Sequence, residues 1–287
     1  MLAVEKMLGI IEDPEVPDDD YIALCLAVKD QADDLPEFFI HHYHHLGIRR
    51  FYIMDDRSTP PLSTVKEDWG IPSKYITFDE QDQYPRAGGN SEQMAIYSRC
   101  MEKWRSKHVW MGFIDTDEFI EMTSDNETLQ EMLHGFQKRS NFGALAINWR
   151  MHTSSGHEER QESVRKAYVD CIWDDDENGG VASNNSHVKV IVRTSMANGP
   201  VGPHMWTLHR GFTWGEHMDM VNSHAFRNPI TRDRIAVHHY AGKSREEYIE
   251  KMLRGNAMDD PKGEGFWESL ELGLPKVSCP EMAKYDP

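Results

Sequence analysis

Apolar residues in this chain form short continuous runs that are separated by segments with helical spacing. Tyr21–Val28, Phe51–Met54 and Val109–Ile114 are nearly uninterrupted runs, which is typical of strands covered on both faces of a parallel sheet. Between the first two runs, acidic residues and a proline at positions 33–36 indicate a helix start, and the helical spacing ends at Gly47. Strand, helix and strand in this order predict a parallel βαβ unit.

Two capping boxes predict further helices. One begins at Asn90 and introduces a helix whose apolar face runs to Trp104, and the other begins at Ser244 and opens a helix to about Arg254. A short helix is expected near residues 129–136. Three further apolar runs predict strands: Ala144–Trp149, Val188–Val192 and Ile235–Val237.

The remaining segments are polar. Residues 152–187 and the tail from residue 259 predict loops, and residues 1–19 form an acidic, proline-containing N-terminal arm. We find no internal repeat and no low-complexity linker. The predicted fold class is therefore α/β, a Rossmann-like fold with a mostly parallel central sheet flanked by helices, in a single domain over residues 20–287.

Composition limits the possible partners. The formal net charge is −17 over 287 residues, which argues against a nucleic-acid-binding surface because phosphate backbones are bound by clustered Lys and Arg. A small anion can still bind where a metal ion or a local basic pocket reverses the charge. No apolar run approaches the roughly 18 residues of a membrane span, and the N-terminus lacks a signal-peptide pattern. We expect a cytoplasmic protein as the sequence stands, or a Golgi-lumenal one if an upstream anchor is missing.

Cysteine and histidine patterns give no metal motif. The four cysteines lie far apart without a CxxC pair, which disfavours a zinc ribbon or a redox motif, and Cys25 and Cys100 are expected to be core residues. His41 and His45 are one helical turn apart, but no third ligand accompanies them. We expect them to form a polar or partly buried helix face.

The pattern Asp-x-Asp occurs three times, and its context distinguishes one copy. Only Asp115 and Asp117 directly follow a strongly apolar run, which places them at the carboxyl end of a central strand, where open α/β sheets bind ligands. Residues two apart in an extended chain point to the same side, and carboxylate oxygens favour Mg²⁺ or Mn²⁺. The alternative is a solvated acidic turn.

Other polar residues are expected at the same sheet edge. Asp30 follows the first strand, and Asp55 and Asp56 follow the second; such carboxylates can bind ribose hydroxyls or a base N–H, although Asp-rich turns are common. Arg86, before a Gly-Gly pair, predicts either a phosphate-facing loop or a flexible turn. Gln93, at the start of the next predicted helix, is expected to bind the same ligand.

A histidine pair near the C-terminus can complete a metal site. His238 and His239 end a short strand and precede Lys243 and the helix at Ser244. A histidine beside two carboxylates is a ligand set suited to manganese, while Lys243 and the helix N-terminus can attract phosphate oxygens. A structural role for the pair is the alternative.

Taken together, four segments resemble glycosyltransferase family 92 and glycosyltransferase-2-like proteins. They are DLPEFFIHHYHHLGIRRFYIMDDRSTPPL, VWMGFIDTDEFIE, INWRMHTSSGHE and HHYAGKSREEYIEKMLRGNAM, in order between about residues 21 and 270. The resemblance implies a GT-A fold, a nucleotide-sugar donor (a UDP-sugar is favoured), a glycan or other hydroxyl acceptor, and a divalent metal bound by Asp115, Asp117 and His239, with His238 as the fallback ligand.

The mechanism that we expect is an inverting transfer. A carboxylate deprotonates the acceptor hydroxyl as it attacks the anomeric carbon, and Glu158, in a loop after a strand, is the predicted base, with Asp175 as the second choice. Two other classes compete with this hypothesis. One is a metal-dependent phosphohydrolase, which would need a larger ligand set, and the other is a non-catalytic carbohydrate-binding scaffold on the same fold.

Overall fold

A computed structural model describes residues 12–88, 92–255 and 262–286. Within these ranges the chain forms thirteen strands and six helices. The strands are β1 (Ile22–Val28), β2 (Phe51–Asp55), β3 (Ile76–Glu80), β4 (Trp110–Phe113), β5 (Glu118–Met122), β6 (Phe142–Met151), β7 (Asp170–Ile172), β8 (Val188–Arg193), β9 (Ala197–Pro200), β10 (Trp206–Leu208), β11 (Phe212–Trp214), β12 (Ile235–His239) and β13 (Lys276–Ser278). The helices are α1 (Leu35–Ile40), α2 (Glu92–Trp104), α3 (Leu129–Gln137), α4 (Val164–Ala167), α5 (Arg245–Arg254) and α6 (Glu264–Glu268).

The central sheet confirms the predicted fold class. Its strand order is β3-β2-β1-β4-β8-β6-β12-β5, and β11 also pairs with β6. The first four strands are parallel, β8 runs antiparallel to both of its neighbours, and β12 is parallel to β6. The opening strand-helix-strand unit is parallel, as predicted, and Val28 pairs with Asp55. The carboxyl ends of β1, β2 and β4 therefore share one edge.

Apolar residues cover both faces of this sheet. On one face, α1 buries Phe38 and Phe39 against the sheet. On the other face, α2 buries Ile96, Tyr97 and Trp104. This burial on two sides explains why the central strands are continuously apolar rather than alternating.

The strand β5 was not predicted, and it places the C-terminal histidines. It runs antiparallel to β12, with Glu118 opposite His239. The backbone N–H of Tyr240 also donates to the carbonyl of Asp117 at 2.8 Å. The end of β12 is thereby fixed beside the acidic segment after β4.

The helix expected up to Gly47 is shorter than predicted. It ends at Ile40, and a π-helical turn covers His41–His45. His41 and His42 turn inward, because Nε2 of His41 donates to the carbonyl of Ile120 at 2.6 Å and Nδ1 of His42 donates to that of Phe38 at 2.8 Å. These bonds explain the partly buried helix face.

Other predicted boundaries change locally. The segment 152–187 contains α4 and β7 as well as loops. In the predicted arm, the carboxylate of Asp13 accepts hydrogen bonds from Arg193 and Gln137, so this part packs against the domain. The capping box at Asn90 begins outside the described residues, whereas the one at Ser244 is present.

The cysteine prediction was incomplete. Cys25 and Cys100 are buried, as expected, but they are joined in a disulfide, and Cys171 pairs with Cys279. The partners are 75 and 108 residues apart, so no local spacing reveals them. The second bridge ties the C-terminal segment to the middle of β7. In the described part of the chain, no helix has the length and apolarity to cross a bilayer.

Candidate active site at the carboxyl edge of the sheet

A cleft of about 180 Å³ lies where the carboxyl ends of β1 and β4 meet α5, and it is open to solvent. The acidic part of its lining is Asp56, Asp115 and Asp117, and His239 faces the same space. We call this space the central cleft.

Asp117 and His239 lie side by side in the central cleft. Nε2 of His239 is 3.7 Å from Oδ1 of Asp117. Since successive strand residues point to opposite faces, His238 points away from the cleft and is 1% exposed. Its Nε2 lies 2.8 Å from the Glu121 carboxylate, and its Nδ1 lies 2.8 Å from Nε2 of His152. His239, and not His238, is therefore available to a ligand in the cleft.

The ionisation of this pair suits a divalent cation. Burial lowers the pKa of His239 to about 3, so its imidazole is neutral, the form that ligates metals. Burial opposes the charge of Asp117, but the adjacent Lys251 ammonium holds its pKa below the ordinary value. Nδ1 of His239 and Oε1 of Glu118 are buried without hydrogen-bond partners, 4.0 Å apart. These groups fit a metal ligand and its supporting carboxylate.

Asp115 faces the same cleft but is bound by neighbouring side chains. Its Oδ2 accepts from Nζ of Lys189 at 2.7 Å, and its Oδ1 accepts from Gln93 at 3.0 Å and from Tyr97 at 3.3 Å. The donor atoms of Asp115, Asp117 and His239 do not all lie within 4.8 Å of one another. The structure thus brings Asp117 and His239 together, with Asp115 at the side of the pair.

Lysines balance the carboxylates at this edge. Lys189 is 1% exposed and also lies 3.2 Å from Glu118; burial opposes its charge, but Asp115 and Glu118 raise its pKa well above the ordinary value. Nζ of Lys251 donates to Oδ2 of Asp117 at 2.7 Å. The basic residues that line the cleft are Lys29, Lys251, Arg254 and Lys262. An acidic protein therefore has a locally basic rim here.

Three of the residues predicted to bind the nucleotide sugar lie at or just after the ends of β1 and β2. Asp56 lines the cleft and lies 2.5 Å from Arg57. Asp55 does not line it, because its carboxylate accepts the backbone N–H groups of Ser58 at 2.9 Å and Leu62 at 2.8 Å. Asp30 is exposed and accepts from the backbone of Thr59 at 2.8 Å. The carboxylates of Asp55 and Asp30 therefore stabilise the loop after β2.

The other three predicted residues also differ in placement. Gln93 lines the cleft and orients Asp115. Arg86 lies 3.6 Å from Asp56. Lys243 donates to Asp34 at 2.5 Å in a narrow crevice that shares Asp117 and Lys251 with the cleft.

The two predicted bases are not at the cleft. Glu158 is exposed, and its carbonyl accepts the backbone N–H of Glu246 at the start of α5. Asp175 is 4% exposed, and its carboxylate closes its own loop by accepting from Asn178 and from the backbone of Ala182, both at 2.9 Å. Both are loop carboxylates, and their residue type alone does not distinguish them from carboxylates that face a ligand.

Several residues of the site were missed in the sequence. Lys189 carried a usable signal, since a single lysine inside the apolar run of β8 must find an anionic partner when buried. Lys251 lies on the predicted helix after Ser244, but the direction of its side chain depends on how α5 packs. The position of Glu118 depends on β5, which was not predicted.

Comparisons with known proteins agree with the resemblance. A sequence model described as glycosyltransferase family 92 matches residues 22–254. A family 92 protein of Oryza sativa subsp. japonica is 27% identical over 124 residues, which are 43% of this chain and 20% of the relative. A galactan β-1,4-galactosyltransferase of Arabidopsis thaliana is 25% identical over 113 residues, 39% of this chain and 23% of the relative. The matched part spans about a fifth of each relative.

Solved structures give a weaker likeness. A mannosyltransferase of Pyrobaculum calidifontis in complex with GDP-Man and Mn²⁺ is 14% identical with a TM-score of 0.33, covering 52% of this chain and 42% of that one. Glucosyl-3-phosphoglycerate synthase of Mycobacterium tuberculosis, in complex with Mn²⁺, UDP-glucose and phosphoglyceric acid, is 10% identical with a TM-score of 0.33, covering 61% and 57%.

Proposed function

Since this chain belongs to glycosyltransferase family 92, we propose that it transfers a sugar from a nucleotide-diphosphate donor to an acceptor hydroxyl, with a divalent cation at Asp117 and His239. The observation that carries this proposal is the 3.7 Å approach of a neutral imidazole to a carboxylate at the carboxyl edge of a mostly parallel sheet. This edge is where open α/β sheets bind nucleotides.

The basic rim supports a diphosphate ligand. Lys251, Arg254 and Lys262 line the same cleft as Asp117, and lysine and arginine stabilise phosphate oxygens by charge-assisted hydrogen bonds. When bound, a divalent cation neutralises the negative charge that develops on the departing diphosphate. Mixed carboxylate and imidazole ligands favour Mn²⁺, with Mg²⁺ as the second choice.

The reaction moves one bond and one proton. The acceptor oxygen bonds to the anomeric carbon, the bond from this carbon to the diphosphate breaks, and the hydroxyl proton passes to a base. We propose inversion, as the family resemblance implies. Glu158 and Asp175 do not line the cleft and are not proposed as the base. NMR of the product's anomeric configuration tests the stereochemistry.

Calorimetry with UDP, with and without Mn²⁺, tests the proposal first. We expect UDP binding that requires Mn²⁺ and is lost in Asp117→Asn. UDP is the first choice because the Arabidopsis relative is a galactosyltransferase and UDP-galactose is a common galactosyl donor. Nucleotide release from UDP-, GDP- and CMP-sugars, assayed with Mn²⁺, then identifies the donor. If Mn²⁺ changed neither the binding nor the release of any nucleotide, the proposed site would be contradicted.

The same assays separate the alternatives. Among the described residues, two clusters bring three potential metal ligands within 4.8 Å of one another. One is Glu216, His217 and Asp233, and the other is His152 with Cys171 and Cys279, which are joined in a disulfide. Neither provides a second metal beside Asp117, as a two-metal phosphohydrolase requires. Phosphate release from simple phosphoesters would nevertheless support hydrolysis, and glycan binding without nucleotide binding would support a scaffold.

A further inference from the structure

The disulfide between Cys171 and Cys279 lies beside a buried histidine. Nδ1 of His152 is 3.6 Å from Sγ of Cys279, and the donor atoms of the three residues all lie within 4.8 Å of one another. Each of the three side chains is at most 1% exposed. We call these three residues the Cys-His cluster. Once the sulfur atoms are thiolates, they and an imidazole are ligands that zinc prefers.

The imidazole of this cluster is held by a row of polar groups. Nδ1 of His152 lies 2.6 Å from the carbonyl of Tyr168, and its Nε2 lies 2.8 Å from Nδ1 of His238. Nε2 of His238 in turn lies 2.8 Å from the carboxylate of Glu121. The groups at both ends of the row only accept hydrogen bonds, so three contacts need three protons, whereas two neutral imidazoles carry two.

A metal ion at Nδ1 of His152 removes this mismatch. The ring then keeps its proton on Nε2 and donates to His238, and His238 donates from Nε2 to Glu121. A metal-bound histidine in proteins commonly donates its other N–H to such an acceptor. The row is therefore suited to support His152 as a ligand.

The Cys-His cluster lies where the C-terminal segment joins the rest of the molecule. The three-residue strand β13 pairs antiparallel with β7, and its residues are exposed. The backbone N–H of Cys279 donates to the carbonyl of Val169 at 2.7 Å, and that of His152 donates to the carbonyl of His239 at 2.9 Å. A short exposed strand gives a reductant its access when this segment opens locally.

We propose that reduction of the bridge between Cys171 and Cys279 converts the Cys-His cluster into a zinc site. A dithiol supplies two electrons and two protons to the bridge and becomes a disulfide itself, which leaves two thiols. Zn²⁺ then displaces the two thiol protons and binds both thiolates and Nδ1 of His152, with a water molecule as the fourth ligand. The ion holds the C-terminal segment on β7 in a reducing compartment, where disulfides rarely persist.

Cobalt is the spectroscopic probe for this site. Its bonds to thiolates give an ultraviolet charge-transfer band, which cobalt bound only by carboxylates and imidazoles in the central cleft does not give. The protein is Cys25→Ser/Cys100→Ser, reduced under argon with a phosphine until two thiols are titrated. We expect this band to appear with one Co²⁺ per chain, to be lost on adding Zn²⁺, and to be absent before reduction.

The other bridge provides a matched control. Among the described residues, Cys25 and Cys100 belong to no cluster of potential metal ligands. Cys171→Ser/Cys279→Ser keeps this bridge, and after the same reduction it should give no cobalt-thiolate band. Zn²⁺ should also raise the Tm of the reduced Cys25→Ser/Cys100→Ser protein and leave that of the reduced control unchanged.

His152→Ala, added to Cys25→Ser/Cys100→Ser, tests the imidazole. We expect its Co²⁺ affinity to fall by at least about tenfold, with circular dichroism before reduction as the test of folding. X-ray absorption of the zinc-loaded parent should find two sulfur ligands and one imidazole, and this measurement does not depend on how the variant folds.

The inference is overturned if the bridge cannot be reduced in the folded protein or if the reduced protein gives no cobalt-thiolate band. An unchanged Co²⁺ affinity in His152→Ala, or zinc without an imidazole ligand in X-ray absorption, would also overturn it. None of these outcomes bears on the proposed transfer, because Mn²⁺-dependent UDP binding is measured on the oxidised wild type.

Discussion

The two adjacent histidines of β12 provide a direct test at the scale of single residues. His239→Ala removes the imidazole that faces Asp117, so we expect Mn²⁺-dependent UDP binding to weaken by at least tenfold, measured by calorimetry, with little change in stability. His238→Ala removes contacts with Glu121 and His152 and should instead lower the free energy of unfolding by about 1–3 kcal/mol. Equal effects of the two substitutions on UDP binding would contradict the assignment of His239.

The predicted bases are also distinguishable by substitution. Glu158→Gln changes an exposed side chain outside the cleft, and we expect kcat within about twofold of the wild type, as is usual for surface positions. Asp175→Asn weakens the acceptor for the backbone of Ala182 and should lower Tm while leaving UDP affinity unchanged. A collapse of kcat in Glu158→Gln with intact donor binding would restore this residue as the base.

At the scale of residues, placement at the sheet edge can be predicted where a backbone rule applies. The position of Asp115 and Asp117 follows from the apolar run of β4 and from the tendency of parallel strands to end at one edge. The direction of a side chain cannot be predicted where its partners decide it: Asp55 and Asp175 satisfy nearby backbone N–H groups, and the sequence contains the same residue type in either case. Pairs that are distant in sequence, such as Lys189 and Asp115, can be recognised only when the packing of the sheet is known.

At the scale of elements, α5 connects helix stability to the site. Its N-cap Ser244 and Glu247 form a capping box, and its last turns carry Lys251, whose Nζ holds Asp117 at 2.7 Å. Ser244→Ala should cost about 1 kcal/mol, seen as a lower midpoint in urea denaturation. Because the cap also positions Lys251, we expect weaker UDP binding. Thr128→Ala, at the capping box of α3, is the matched control: it should lower stability similarly without affecting UDP.

The bridge between Cys171 and Cys279 links β7 to the C-terminal segment. Replacing both cysteines by serine frees a loop of 108 residues and should lower the free energy of unfolding by about 2–5 kcal/mol. Urea denaturation measures this, and the wild type with its disulfides reduced should be at least as destabilised. Unchanged stability of the double variant under oxidising conditions would contradict a structural role for this bridge.

Elements were predictable to the extent that their own residues determine them. The central strands, the first βαβ unit and the helix at Ser244 follow from periodicity, proline and capping signals, and the structure contains them. β5 was missed because Glu118–Met122 mixes acidic and apolar residues, and it becomes a strand by pairing with β12. The early end of α1 likewise depends on Ile120, whose carbonyl binds His41.

At the scale of the whole molecule, charge and stability should both report on the site. The chain has a formal net charge of −17, yet Lys251, Arg254 and Lys262 line one cleft. UDP alone should bind poorly, because Asp115 and Asp117 repel its phosphates. A divalent cation removes this repulsion, so we expect Mn²⁺ and UDP to bind with positive cooperativity, each increasing the affinity for the other by the same factor.

Thermal unfolding converts this cooperativity into a measurable shift. A ligand that binds only the folded state at a hundred times its Kd stabilises that state by about 2.7 kcal/mol, and for a protein of this size each kcal/mol raises Tm by roughly 2–4 °C. UDP with Mn²⁺ should therefore raise Tm by about 5–10 °C, more than the sum of the separate shifts, and EDTA should reverse it. In Asp117→Asn, the Tm shift with UDP and Mn²⁺ together should equal the sum of the two separate shifts, because the carboxylate that couples the cation to the diphosphate is lost. A shift in that variant as large as in the wild type would place the cation elsewhere in the molecule.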